Sequence, residues 1–381
     1  MSETVHIPQL RFPEFSGDWN RVKIQKLLDD KSIISHLDGN HGALYPRSEE
    51  FTKEGVPYVT ANDFINGKVD LKKCKCLPVE RASQFKKGIA HNGDVLFAHN
   101  ATVGPVALLE TDLEYVVLST TATYYRCDNN TLINKYLKVY LTSNDFVRQY
   151  SRVMSQSTRN QVPITTQRLF YINLPDKPEQ QKIAAFLTAV DSKIEQLSKK
   201  QELLGEYKKG LMQQIFSQAI RFKADDGIEF PDWEEKKLGG VGRIRKGSQL
   251  NKSELTDTGD YPAINGGINP SGYTDKWNTG KNTITISEGG NSCGYINFIT
   301  SKFWSGGHCY SIEELKGDVL NRFLFQYLKF NEHLIMRLRV GSGLPNIQKG
   351  EINNFKVNLP SLEEQTKIAN LLSSIDSKIE Q

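Results

Sequence analysis

The chain has 381 residues, 38% of them hydrophobic and 24% charged, with a formal net charge of +4. That length exceeds one ordinary core and suits two globular domains, and no apolar run approaches the roughly 20 residues of a membrane span. The opening Met1-Ser-Glu-Thr-Val-His-Ile lacks the basic-then-apolar pattern of a secretory signal, so cytoplasmic residence is expected.

Phe12-Pro13-Glu14-Phe15 followed by Asp18-Trp19 opens the first domain. Tyr58-Val-Thr60-Ala-Asn62-Asp63 then reads as a strand running into a polar loop, and Lys68 to Lys87 concentrates positive charge. Such a patch suits either phosphate contact or a solvated lysine surface. The stretch from Gly93 to Gly104 predicts a strand, a polar loop carrying His99, Asn100 and Thr102, and a second strand. Tyr115-Val-Val-Leu and Thr123-Tyr-Tyr are further strand candidates. A polar segment bearing Arg152, Arg159, Asn160 and Gln161 closes the domain.

Next comes a helix with a readable start and seam. Asp176 and Glu179 fit capping-box spacing. Ile183, Leu187, Val190, Ile194, Leu197, Leu204, Leu211 and Ile215 keep one coiled-coil frame, interrupted by Gln201 and Lys208. From Pro178 to about Ser217 the helix would be on the order of 60 Å long.

The second half repeats this order. Phe230-Pro231-Asp232-Trp233 opens it, and Arg243 to Lys252, including Arg245 and Lys246, is again basic. Tyr261 to Gly267, with Asn265, is a second strand-and-loop; Asn282 to Ile296 is a second strand, glycine loop and strand, carrying Ser287, Asn291 and Ser292. Arg337 to Gln348, with Arg339, Ser342, Asn346 and Gln348, matches the closing polar segment. Then Asn358-Leu-Pro-Ser-Leu-Glu-Glu-Gln-Thr-Lys-Ile-Ala returns Asn173-Leu-Pro-Asp-Lys-Pro-Glu-Gln-Gln-Lys-Ile-Ala, and Asp-Ser-Lys-Ile-Glu-Gln ends both repeats, at a fixed offset of 358 − 173 = 185. Ser361 and Glu364 repeat the capping box, and Ile368, Leu372, Ile375 and Ile379 repeat the seam. This helix has room for only about 30 Å before Gln381. Chain order brings it back along the first helix, so the two are expected to pack antiparallel, as a strut between the domains.

The sequence therefore predicts an α/β (α+β) protein of two similar mixed domains, pseudo-two-fold related, separated by a two-helix antiparallel coiled coil. The expected divisions are 1–174 for the first domain with its N-terminal arm, 175–217 for the long helix, 218–359 for linker and second domain, and 360–381 for the second helix.

The five cysteines, Cys74, Cys76, Cys127, Cys293 and Cys309, lack Cys-x-x-Cys spacing and are expected to be reduced and buried. Cys74 and Cys76 with His91 or His99 make too incomplete a set for structural zinc. No serine or cysteine nucleophile motif accompanies His99, so no catalytic residue is assigned. Asn269-Pro270-Ser-Gly-Tyr273 departs at two positions from the Asn-Pro-Pro-aromatic element of amino-methyltransferases and is set aside.

Asn-Leu-Pro, Glu-Gln, Lys-Ile-Ala and Asp-Ser-Lys-Ile, twice in one chain and each time after a variable domain, resemble the specificity subunit of a type I restriction-modification system. Phe-Pro before each domain and Lys-Lys-Gly-Leu-Met-Gln-Gln-Ile-Phe, ending at Phe216, fit the same family. The resemblance implies that each domain is a target-recognition domain reading half of a bipartite, asymmetric double-stranded DNA sequence, across a spacer set by the helices. It implies two methyltransferase subunits and a restriction and translocase subunit as partners. S-adenosylmethionine, ATP and Mg²⁺ then belong to those partners, while this chain catalyses nothing and needs no membrane. Family members usually end in a second helix as long as the first. A truncated chain or natural variant is therefore expected, with the stripe around Ile183 to Ile194 covered by the methyltransferase or by another copy.

Base edges are read by donors and acceptors in fixed geometry, and loops concentrate such side chains. The DNA-contact candidates are Thr60, Asn62, His99, Asn100, Thr102, Arg152, Arg159, Asn160 and Gln161 in the first domain. In the second they are Arg245, Lys246, Asn265, Ser287, Asn291, Ser292, Arg339, Ser342, Asn346 and Gln348. Each could instead be simple turn chemistry. Opposed to the recognition reading stand a self-contained DNA methyltransferase or nuclease and a helical protein-binding scaffold.

Overall fold

The structure is a computed structural model that describes residues 8, 10–39, 44–156, 159–341 and 343–381. It divides into two compact units, Met1–Glu195 and Gln196–Gln381.

In the first unit a short ribbon pairs Asn20–Lys23 antiparallel with Tyr171–Leu174, so the strand that enters the domain lies against the strand that leaves it. Between them the chain builds a sheet whose four adjoining strands run Ile33–Asp38, Ala122–Cys127, Val95–Asn100 and Thr102–Leu108, all antiparallel. A second sheet orders Lys75–Leu77, Val56–Val59, Val116–Leu118 and Ile89–Ala90, with Val116–Leu118 parallel to Val56–Val59. Helices Asn134–Leu141 and Asn144–Met154 cover the first sheet, and Phe97, Tyr136, Phe146 and Phe170 fill the space between, with Ala184 of the long helix completing the cluster. The β-branched and aromatic runs form strands because each packs against a covered face.

The second unit repeats the plan. Glu234–Lys237 pairs with Lys356–Leu359 as entry-and-exit ribbon. Arg243–Lys246, Cys309–Glu313, Thr283–Ser287 and Ile296–Ile299 lie in the same sheet order as their counterparts. Tyr261–Ile264 lies between Tyr273–Thr274 and the parallel Trp304–Ser305 in a smaller sheet. Helix Asn321–Phe330 supplies Phe323, Tyr327 and Phe330 to an aromatic cluster centred on Phe216, where the long helix ends.

The long helix spans Lys177–Phe216, 40 residues, and the second spans Leu362–Glu380, 19 residues. Within the second unit they are antiparallel: Gln201 Nε2 donates to the Ile379 carbonyl at 3.4 Å and Lys208 Nζ reaches Asp376 Oδ1 at 2.6 Å, one partner rising as the other falls. The two polar interruptions of the seam are thus where cross-helix polar contacts are made. Ile215, Ile368, Leu372 and Ile375 are buried, and Leu204, Leu211 and Ile379 are half-buried. Ile183 and Leu187 are half-buried, whereas Val190, Ile194 and Leu197 are exposed, Ile194 by 58%, so an interface role for these three is not met among the described residues.

The capping-box expectation needs correcting. Ser361 Oγ does accept from the Glu364 amide at 3.4 Å, but the Glu364 carboxylate does not turn back to close the box. It is fully buried and takes Arg221 Nε and Nη2 at 3.2 and 2.8 Å and Trp233 Nε1 at 3.2 Å. Glu179, 185 residues earlier, takes Arg11 Nε and Nη2, both at 2.6 Å, and Trp19 Nε1 at 3.1 Å. The next residue is equally committed. Gln180 accepts from the Ile133 amide and donates to the Thr131 and Pro175 carbonyls; Gln365 accepts from the Leu320 amide and donates to the Asp318 and Pro360 carbonyls. Glu-Gln is therefore a clasp that fixes each helix start to its own domain.

Removing one partner of a buried ion pair strands the other charge, which costs more than the pair itself contributes. Arg221→Ala is expected to destabilise the second unit by about 3 kcal/mol, read from the urea midpoint of a transition followed by Trp233 fluorescence. An unchanged midpoint would remove the clasp from the stability argument.

Candidate nucleic-acid interface

At one end of the first unit's main sheet, the expected polar loop is a tight hairpin: Val95–Asn100 turns at Ala101, which has φ +63°, into Thr102–Leu108. The closing polar segment clamps it. The Ala101 amide donates to the Asn160 carbonyl at 3.0 Å, Asn160 Nδ2 donates back to the Ala101 carbonyl, and the Val162 amide donates to the His99 carbonyl at 2.8 Å. Asn100 Nδ2 reaches the Thr120 carbonyl at 3.4 Å, and Thr121 Oγ1 accepts from the Ala61 amide at 2.9 Å. These bonds tie together three segments 40 to 60 residues apart in sequence: Thr60 to Asp63, His99 to Thr102, and Arg159 to Val162.

Asn62, Thr102, Arg152, Arg159 and Asn160 are exposed, and Asn100 and Gln161 are half-buried. Thr60 is half-buried and closes its own turn, with Oγ1 2.8 Å from Asp63 Oδ2. His99 departs from expectation. It sits on a strand at 1% exposure with Nδ1 3.2 Å from the Val162 carbonyl, so it supports the hairpin from beneath and does not present a ring to a ligand.

Below lies a buried polar network that the sequence did not announce. Gln167 Oε1 accepts from Tyr125 Oη at 2.7 Å and Thr123 Oγ1 at 3.2 Å, stands 3.2 Å from His36 Nε2, and its amide nitrogen donates to the Val162 carbonyl. The His36 ring stacks on Tyr125 at 4.1 Å. Burial drives the His36 pKa down to about 3, against a smaller upward pull from the Gln167 bond; the charge of Arg168 lowers it further.

The second unit assembles the matching loops around charge. The Ile347 amide donates to the Glu288 carbonyl at 2.9 Å, as Val162 does to His99, and Gly290 donates to the Pro345 carbonyl at 3.0 Å. Ser287 and Ser292 hydroxyls both donate to the Gly266 carbonyl, and the His308 amide donates to Asn265 Oδ1. Gly266 is required here: its φ is +83°, and a Cβ would stand 2.7 Å from the His308 carbonyl oxygen. Glu288 is the centre. Its Oε1 takes Lys246 Nζ at 2.6 Å and Tyr310 Oη at 2.9 Å, while Oε2 lies 3.5 Å from His308 Nδ1. Burial pushes this carboxyl's pKa up, and the Lys246 and Tyr310 bonds with the Lys246 and His308 charges outweigh it, holding it below the ordinary value.

Asn291, Arg339 and Gln348 are exposed; Asn265, Ser292 and Asn346 are half-buried; Ser342 lies outside the described residues. Lys246 keeps half its side chain in solvent. Two candidates are structural. Ser287 is buried beneath the loops, and Arg245 is spent on Glu313, the Asn278 carbonyl and Thr279 Oγ1. Glu288, His308 and Tyr310 were missed. Glu288 stands where the glycine-loop pattern puts it opposite His99, a positional signal that residue type alone conceals.

The basic stretch from Lys68 to Lys87 is largely paired: Lys68 with Glu195, Lys73 with Asp70, Arg81 with Glu50 and Lys87 with Asp38. Lys68, Lys72, Lys73, Lys75 and Lys86 are all exposed. All five cysteines are free; Cys127, Cys293 and Cys309 are buried as expected, but Cys74 and Cys76 are only half-buried. Burial pushes the Cys74 thiol up to about 12. Among the described residues no cluster of three His, Cys, Asp or Glu could hold a metal ion, and no helix is long and apolar enough to cross a membrane.

Comparison with known proteins gives this arrangement a context. The family model of the type I restriction modification DNA specificity domain matches residues 34–204 and again 231–381. A Methanocaldococcus jannaschii protein described as the specificity subunit of the type I restriction enzyme MjaX is 28% identical over 96% of this chain and 89% of its own length. The MjaVIII specificity subunit of the same organism is 26% identical over 97% of this chain and 88% of its own. The crystal structure of a type I restriction-modification S subunit from M. genitalium superimposes with a TM-score of 0.68 over 98% of this chain and 93% of that one, at 18% identity, and so shares its fold.

His36 yields a test of the network beneath the hairpin. Above pH 6.5 it is neutral in both folded and unfolded chain and contributes no pH dependence; below, the unfolded chain binds a proton that the folded one refuses until about pH 3. Stability should therefore fall on acidification through this window by roughly 1.4 kcal/mol per pH unit from this group. The wild-type minus His36→Asn stability difference should therefore fall by about 2 kcal/mol between pH 6.5 and 4.5, measured by urea unfolding. Parallel profiles would mean that His36 is protonated in place.

Proposed function

Since this chain belongs to the type I restriction-modification DNA specificity family, we propose that each of its two mixed domains reads one half of a bipartite, asymmetric duplex sequence. It is a DNA-recognition subunit and not an enzyme, and it directs methyltransferase and restriction subunits to their target. The observation that carries the division of labour is the repeated loop assembly. At matched positions in each unit, three loops converge on the end of one sheet and expose amides, hydroxyls and basic groups. Exposed Asn, Gln and Thr suit base edges, whereas Arg152, Arg159, Lys246 and Arg339 suit phosphate or guanine.

In this reading S-adenosylmethionine, ATP and Mg²⁺ are held by the partners, two methyltransferase subunits and a translocating nuclease, and this chain holds none of them. The cytoplasm, where the DNA lies, is the compartment the reading requires, and the free thiols suit a reducing one.

Because the entry-and-exit ribbon closes each domain on itself, residues 24–170 can be exchanged with those of another family member while leaving the ribbon in place. Sequencing of methylated sites in cells carrying the exchanged chain and its methyltransferase should show one half of the target replaced and the other half and the spacing retained. Alteration of both halves would refute the one-domain, one-half assignment.

A further inference from the structure

The closing loop of the second unit ends in a feature that polar recognition does not use. Val340 and Asn346 exchange both backbone hydrogen bonds, at 2.8 and 3.0 Å, and the hairpin so formed is anchored by Gly290 to the Pro345 carbonyl and Ile347 to the Glu288 carbonyl. On this braced hairpin Leu344 is 86% exposed and Val340 56%. Single exposed leucines are ordinary on protein surfaces. This one stands on a tied loop that also carries Asn346 and Gln348, with Gln348 Nε2 3.5 Å from Asn346 Oδ1. The chain that carries it is basic: from His333 to Gly350 the sequence has Arg337, Arg339 and Lys349 and no acidic residue.

The repeat shows what the position is for. Val162 and Ile347, which make the same backbone bond to His99 and Glu288, are 185 residues apart. The same offset sets Leu344 against Arg159, exposed at the matching step of the first domain. One domain offers a guanidinium there and the other an isobutyl group. In the major groove a guanidinium matches guanine O6 and N7, but an aliphatic group has one complementary feature, the C5 methyl of thymine.

On the DNA-recognition reading above, we propose that Leu344 is a specificity-determining contact of the second domain, packing on a thymine methyl in the major groove. The Asn346 and Gln348 amides beside it can bond the adenine of that base pair or its neighbour. The basic flank holds the phosphates on either side, which favours duplex DNA over a protein surface as the occupant.

The test uses the chain assembled with its methyltransferase. Once the methylated sequence is mapped, duplexes carrying uracil for thymine, one position at a time, remove a single methyl and leave base pairing intact. Wild type should lose about three- to five-fold in affinity at one position of the second domain's half, and Leu344→Ala should lose nothing further there. Leu344→Ala should fold as wild type does, since the side chain buries little. If no uracil position separates wild type from Leu344→Ala, the contact is refuted. If Leu344→Ala weakens assembly with the methyltransferase and leaves base preference intact, the hairpin faces protein and the proposal fails. Should the wild-type assembly methylate no defined sequence, the recognition reading falls with it, an outcome distinct from either.

Discussion

Two buried carboxylates hold this molecule to its plan. Glu179 and Glu364 sit at the first turn of their helices, where a negative charge is favoured by the helix dipole, and each is neutralised by an arginine and an indole from the segment that precedes the domain. Without those partners the burial would be prohibitive. The consequence is mechanical: the segment ahead of each domain, the ribbon that closes it and the helix that leaves it become one joint. The adjacent glutamine bonds three backbone groups and secures the loop ahead of the domain's first covering helix to the same joint.

On that fixed base the loop ends of the two units differ in side-chain chemistry, while the backbone bonds that register the loops do not. The first unit supports its hairpin with His99 above a network of His36, Tyr125 and Gln167. The second supports its loops with a buried carboxylate shared by a lysine and a tyrosine, beside a histidine. Matched backbone bonds keep the loops in register in both. Side chains above the scaffold are therefore free to vary in chemistry, from the guanidinium of Arg159 to the aliphatic tip at Leu344, without disturbing what carries them.

The repeat, the two helices and their mutual direction were legible because they are written in periodicity: the offset of 185 residues, the spacing of the seam and chain order. Strands at Val95–Asn100 and Thr283–Ser287 were legible from the repeated pattern of a strand running into a polar, glycine-bearing loop. The Glu-Gln motif was visible but misread, since a glutamate three residues after a cap position looks local, and only long-range contact with Arg11 or Arg221 reveals otherwise. His99 and Ser287 look like loop residues in sequence and prove buried, because the polarity of their neighbours hides that the strand runs one step further. Glu288 and His308 could not be found at all from residue type, as their association depends on loops some 20 residues apart meeting at Gly266.

The ribbons that close the domains also bear on how the chain acquires its shape. Asn20 pairs with Leu174 and Glu234 with Leu359, so the first strand of each domain waits for well over a hundred residues before its partner exists. Closing loops of that length carries an entropic cost of about 4 kcal/mol before any contact is gained. Topologies dominated by such remote pairings cross their barrier slowly. Each domain should therefore remain an open, unzipped intermediate until its last strand arrives, and the ribbon and clasp should form together as the late, committing step.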